Sequence, residues 1–173
     1  ARRNPYKASM KGSIPVNVLT RVSSANAAPL DLDINLDHAD MNALALFFNP
    51  VTSAEGPIKG YVKVSGAWDD PELRGDVSVK NGRMELLTLH DPIFPLNMDV
   101  KFDGKSATVE GNAVFGTGKS SVKGGLEWDR GAIIAYNGEA HLHAPDIHSD
   151  YYKGSLDADF GLGEVMDLSL IHI

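Results

Sequence analysis

Hydrophobic and polar positions alternate with a period of two over most of this chain, the pattern of a strand with one buried face. The pattern is clearest from Gly60 to Leu86, where Val62, Val64 and Trp68 share one face and Tyr61, Lys63 and Ser65 the other. Asp69, Asp70 and Pro71 then supply a turn, because proline fixes φ and has no amide to give to a ladder. On the returning arm Leu73, Val77 and Val79 oppose Arg74, Asp76, Ser78 and Lys80. Asn81-Gly82 predicts a turn or bulge, and Met84 and Leu86 resume the alternation. The stretch predicts a β-hairpin that is a building unit and holds no chemistry of its own.

Upstream, Ile14, Val16, Val18 and Val22 alternate within residues 11–22, and residues 23–28 read as a loop. Leu30, Leu32, Ile34 and Leu36 then alternate with Asp31, Asp33, Asn35 and Asp37. Residues 38–49 predict the one helix: Asp40 as N-cap, Met41, Leu44, Ala45 and Phe48 at helical spacing, and Pro50 as the stop. The segment contains no Lys or Arg, so it is read as packing over one end of a sheet, not as lying on a membrane surface. Residues 51–57 read as a loop.

Downstream, turns are predicted at His90-Asp91-Pro92, Asp103-Gly104, Gly116 to Gly118, Asp129 to Gly131 and Ala144 to Asp150. They separate further alternating strands, for about nine strands in all, mostly joined as hairpins. Glycines 66, 75, 111, 124, 138 and 154 fall in the apolar phase. Small residues there relieve crowding on the concave side of a bent sheet. The fold class predicted is therefore mostly β: one long, curved antiparallel sheet forming an open hydrophobic groove, with one short helix near residues 38–49. The expected groove lining is Val62, Val64, Trp68, Val77 and Val79 from the hairpin, then Leu96, Met98, Val100 and Phe102, then Val109 and Phe115. Val122, Leu126 and Trp128, then Ile134, Tyr136 and Leu142, and finally Tyr152, Leu156 and Phe160 complete it.

A net charge of −7 argues against nucleic acid as the main partner, since phosphate binding needs a basic surface. The early cluster of Arg2, Arg3, Lys7 and Lys11 reads as a solvated end. Without cysteine there is no disulfide framework, thiolate metal site or cysteine nucleophile. No apolar run approaches the ~20 residues that span a bilayer. The first residue is Ala1, so a fragment of a longer polypeptide is expected.

Candidate chemistry is sparse. His141 and His143 share a strand face and have the spacing to chelate zinc or nickel, but they lie in the polar phase. They read as exposed histidines, and no metal or other cofactor is expected. Asp69-Asp70 and Asp157 with Asp159 sit on turns or the solvated face, with no apolar surroundings to raise a carboxyl pKa for general-acid work. Gly-x-Ser-x-Gly and phosphate-binding loops are absent, and no enzymatic activity is expected. The final Ser169–Ile173, SLIHI, resembles the translated read-through of a sequencing adapter, an ordinary edge strand being the alternative, and His172 is given no functional weight.

One order of elements resembles a known family. Met41–Phe48 and Pro50 are followed by Gly60-x-Val62-x-Val64-x-Gly66, then Pro71-x-Leu73-x-Gly75, Val77-x-Val79-x-Asn81-Gly82, and a Gly116-x-Gly118 strand leading to Gly124. This resembles the TamB family of the translocation and assembly module and the related AsmA-like proteins of Gram-negative bacteria, best over residues 38–130. The resemblance implies a periplasmic β-taco groove lined with apolar residues, held to the inner membrane by an anchor outside this sequence. It also implies phospholipid transport between inner and outer membranes, outer-membrane biogenesis, and an Omp85-type barrel as partner. In domain terms, residues 1–37 end a preceding β segment, 38–57 are helix and loop, 58–168 are the groove, and 169–173 are a doubtful tail. Two other readings stay open: a structural or adhesive β-repeat scaffold, and a closed β-barrel binding a small apolar ligand.

Overall fold

The computed structural model describes residues 7–14, 29–42, 49–148 and 153–163. Within them ten strands form one antiparallel sheet: β1 (Lys7–Ser13), β2 (Leu30–Asp40), β3 (Val51–Glu55), β4 (Pro57–Ala67), β5 (Asp70–Leu86), β6 (Ile93–Gly104), β7 (Ser106–Phe115), β8 (Gly118–Asp129), β9 (Ala132–His148) and β10 (Lys153–Leu162). The order is β1-β2-β4-β5-β6-β7-β8-β9-β10, with β3 beside the far end of β5. β4 pairs with β2 past the intervening β3, and from β4 onward each strand pairs with the one before it, as expected of hairpins. Strands β1 and β10 remain the two edges, so the sheet is open and the closed-barrel reading falls.

Turn chemistry sets several of the connections. Arg130 and Gly131 both adopt positive φ (48° and 72°) between Asp129 and Ala132, the backbone of a two-residue hairpin turn that matches strand twist. Four local expectations are corrected. The first hairpin turns at Trp68-Asp69, and Asp70 and Pro71 already belong to β5. Residues 51–55 form β3, where a loop was expected; only Gly56 separates β3 from β4, and both pair with β5 as one interrupted strand. Strand β9 continues through Ala144 to His148, where a turn was expected. The predicted helix begins as strand: β2 runs to Asp40, whose carboxylate accepts the amide of Asn42 at 2.9 Å, and a 3-10 turn opens at Met41. Residues 43–48, Tyr152 and the 169–173 tail lie outside the described residues, as do Val16, Val18 and Val22. Strands β1 and β2, expected to end a preceding segment, belong to this same sheet.

The ladder is interrupted in line across neighbouring strands. Register shifts fall between Leu36 and Ala39 in β2, around Asn81-Gly82 in β5 and between Ile93 and Leu96 in β6. Asn81 takes a φ of 54°, the left-handed conformation that asparagine tolerates best after glycine. Bulges bend strands, so these make a crease. The tightest packing gathers there: Met41, fully buried, with Ala54, Val79 and Leu96, flanked by Ile58, Met84, Ile93 and Met98. The Met41 amide bonds the Gly56 carbonyl at 3.0 Å, and a Cβ at Gly82 would stand 2.7 Å from the Met41 sulfur.

Directly paired residues of an antiparallel ladder point to the same face, so side chains can be followed in rows across the sheet. One row reads Met10–Ile34–Val62–Gly75–Phe102–Ala107–Leu126–Tyr136. The next reads Ala8–Leu36–Gly60–Val77–Val100–Val109–Gly124–Gly138, from β1 to β9. A third reads Ala39–Ile58–Val79–Met98–Gly111–Val122–Ala140–Phe160. None of the three holds a polar side chain. Between them run polar rows such as Lys59–Ser78–Asp99–Glu110–Lys123–Glu139, tied by exposed pairs including Lys63–Asp31 at 2.8 Å and Lys123–Glu110 at 3.1 Å. Each such pair contributes little to stability, because water screens it.

Candidate functional site

The apolar rows form the floor of a trough. Its curvature is written in the glycines. A Cβ at Gly75 would lie 1.9 Å from the Tyr61 carbonyl oxygen, and one at Gly124 would lie 2.7 Å from that of Asn137. In both cases the obstacle is the backbone of the neighbouring strand, which the bend brings over the inner face. The hollow holds two cavities. The larger, of about 560 Å³, is lined by Leu73, Val100, Phe102, Ala107, Val109, Leu126 and Tyr136, among others. The second, of about 360 Å³, is lined by Met84, Ile93, Leu96, Met98, Ala113, Leu142 and Phe160 with a few polar neighbours. Val122 and Ala140 border both, so the two are consecutive stretches of one hollow. Each has the size of a small-ligand site, but its walls lack the convergent polar groups that orient a specific ligand.

One end of the larger cavity is closed by a clasp. Strands β5 and β8 run past the short β6–β7 turn and meet over it. The Trp128 indole Nε1 donates to the Pro71 carbonyl at 2.9 Å, and the Trp128 amide donates to the Lys105 carbonyl at 3.0 Å. The Lys105 ammonium donates to both Asp70 (2.6 Å) and Asp129 (2.8 Å), and the Arg130 amide donates to Asp70 at 3.0 Å. The Lys105 hydrogen bond, seconded by the Arg130 amide, holds the Asp70 carboxyl below its usual range. Asp129, then Asp70, raise the Lys105 ammonium.

Most of the expected lining residues come together on this face. Val62, Phe102, Leu126 and Tyr136 stand in one row, Val77, Val100 and Val109 in the next, and Met98, Val122 and Phe160 in the third. Val64 pairs with Leu73 toward the clasp; Leu142 and Leu156 continue toward the opposite margin, as does Phe115, paired with Ile93. Val79 and Leu96 also face inward but are buried in the crease, so Val79 acts as core rather than open wall. Two positions are corrected. Trp68 stands on the first hairpin turn, 61% exposed, because β4 ends at Ala67 before its alternation reaches Trp68. Ile134 is the extra residue of a β9 bulge: Ala135 pairs with Glu127 and Ile133 with Trp128, which leaves Ile134 in no row and 59% exposed. Period counting overlooked Ala107, whose small side chain carries little hydrophobic signal, and Ile93, set off by the turn before it. It also missed the clasp, which no local spacing signals.

His141 and His143 do share the polar face. Each meets a carboxylate of β10: His141 Nδ1 lies 2.6 Å from Asp159 and His143 Nδ1 lies 3.3 Å from Asp157. The Asp159 hydrogen bond raises the His141 pKa. These are cross-strand ties between β9 and β10. No protein-family model, curated protein or solved structure matches this chain.

Proposed function

We propose that this chain is a non-enzymatic segment of a lipid-carrying trough, in which acyl chains lie against the apolar rows of the sheet. The observation that carries the reading is the row from Ala8 to Gly138, which crosses the sheet from β1 to β9 without a polar side chain and runs under the larger cavity at Val100, Val109 and Gly124. Moving a lipid through water exposes its tails at about 0.8 kcal/mol per CH₂. For ~15 such groups the barrier is on the order of 12 kcal/mol, which a continuous apolar surface largely removes. Such a surface needs no oriented polar group, in keeping with a hollow of this composition.

The resemblance to the TamB and AsmA-like families supports phospholipid as the cargo and the periplasm as the place. An inner-membrane anchor outside this sequence and an Omp85-type barrel as partner belong to the same reading. The test is lipid mass spectrometry on the protein purified from Gram-negative membranes, beside displacement of a fluorescent fatty acid. Co-purified phospholipid, and fatty-acid binding lost in Val100→Asp while the fold is retained, are the expected results. Lipid-free protein that binds no fatty acid would leave the scaffold reading standing.

A further inference from the structure

The sheet ends in two edge strands that carry opposite charge on the polar face. Strand β1 is exposed throughout and presents Lys7, Ser9 and Lys11 there, with no carboxylate in its length. In β10 the register shift between Gly154 and Leu156 sets Lys153 apart; past it the strand presents Asp157 and Asp159 on that same face, and no cation. Both carboxylates meet a histidine of β9, yet their side chains remain 78% and 82% exposed. On the inner face each edge leaves a large apolar side chain in water: Met10, 60% exposed, and Phe160, 45%. Among the described residues neither strand is paired on its outer side. An edge with open amides and carbonyls is a template for another strand.

We propose that β10 of one copy of this chain pairs with β1 of a second copy, joining the two edge to edge into one longer sheet. The pairings that lead from β1 to β10 are all antiparallel and even in number, so the two edges point the same way. Head-to-tail contact therefore makes a parallel ladder. Both faces stay in phase when Lys7 stands beside Asp157. In that register Asp159 stands beside Ser9, between Lys7 and Lys11, and Phe160 stands beside Met10. The apolar row through Ala140 and Phe160 then runs on into Met10, Ile34 and Val62 of the next copy. Charge selects this contact over a two-fold one. Fully overlapped, a β1–β1 pair sets Lys7 against Lys11, and a β10–β10 pair sets Asp157 against Asp159. Like charges facing each other across a ladder oppose pairing. Each copy in the head-to-tail contact still has a free edge, so association continues past a dimer. The contact needs no lipid and is measured apart from the trough's cargo.

The test is sedimentation velocity of the whole chain over a range of concentrations, with two edge variants whose fold is checked by circular dichroism. Wild type should form species larger than a dimer that grow with concentration and shrink with added salt. Lys7→Glu with Lys11→Glu gives a protein with two acidic edges, and Asp157→Lys with Asp159→Lys gives one with two basic edges. Each variant alone should self-associate at least about tenfold more weakly than wild type, since like charges replace attractive pairs. An equimolar mixture of the two should regain assembly, because every acidic edge then meets a basic one. The chain has no cysteine, so introduced thiols report on this contact alone. Met10→Cys and Phe160→Cys, made in separate proteins and then mixed, should oxidise to a mixed disulfide in preference to either homodimer, the two sites being on neighbouring strands. A wild type that stays monomeric at every concentration, a mixture that assembles no better than its components, or homodimeric disulfides in excess of the mixed one would overturn the proposal.

Discussion

The indole of Trp128 donates to the carbonyl of Pro71 at 2.9 Å, joining residues 57 apart in sequence from strands that are not neighbours in the sheet. The bond holds β5 and β8 together past the β6–β7 turn. Pro71 suits the place: it lies beyond the reach of β6, which pairs with β5 only from Leu73 onward, so its carbonyl is available. Trp128→Phe keeps most of the ring and removes the donor. It should cost about 1 kcal/mol in urea unfolding, the worth of one hydrogen bond, and weaken the near-ultraviolet circular dichroism of the protein.

The salt-bridged half of the clasp makes a pH-dependent prediction. The folded Asp70 carboxyl lies below its unfolded value, with the Lys105 hydrogen bond as the chief cause. Its contribution is therefore full above the ordinary carboxylate pKa of about 4 and is lost as pH falls through the folded value. Lys105→Met leaves Asp70 and Asp129 without their shared cation. The variant should melt below wild type at pH 7, with the difference shrinking toward pH 2. A gap that stays constant with pH would assign the effect to lost packing of the lysine stem.

Glycine at the bend is a steric requirement. Gly75 has a φ of 133°, and its Cβ direction points into the Tyr61 carbonyl. Gly75→Ala should destabilise by about 3 kcal/mol, at the level of an overpacked core. Gly161, with nothing within 4 Å of its Cβ direction, should accept alanine within about 0.5 kcal/mol. Thermal melts of the two variants check the contrast.

The alternation that reveals the trough was legible because Met98, Val100 and Phe102 of β6 each sit between polar residues, and only a sheet with one apolar face satisfies that pattern. The inward glycines disclosed the bend for the same reason. What escaped the sequence lies where period two is broken. The bulge at Ile134 shifts the phase by one residue, so counting back from Tyr136 placed it in a row that it does not join. Met41 at helical spacing from Leu44 and Ala45 read as a helix face, yet its amide and side chain plug the crease beside Gly56 and Gly82. The clasp joins Asp70, Lys105 and Asp129 across distances along the chain that no local pattern encodes.

The β9–β10 pairing should respond to pH near neutrality. Asp159 raises the folded His141 pKa through its hydrogen bond and charge, and Glu139 adds to it. A raised histidine contributes fully below its unfolded value of about 6.5, and the contribution fades as pH climbs through the folded value. Nuclear magnetic resonance should find the His141 ring titrating above 6.5 in the wild type and lower in Asp159→Asn. The same ring value in both proteins would show that the pair is not formed in solution.

The most direct test of the trough is photo-crosslinking from adjacent positions that differ only in face. Val100 and Val109 line the larger cavity, whereas Lys101 and Glu110 stand in the polar rows. A photoreactive residue at each position, in protein kept in its native envelope, is irradiated and the adducts are identified by mass spectrometry. Acyl-lipid adducts from Val100 and Val109, with few or none from Lys101 and Glu110, are the predicted result. Equal lipid labelling from both members of each pair, or none from either, would contradict a lipid-carrying trough.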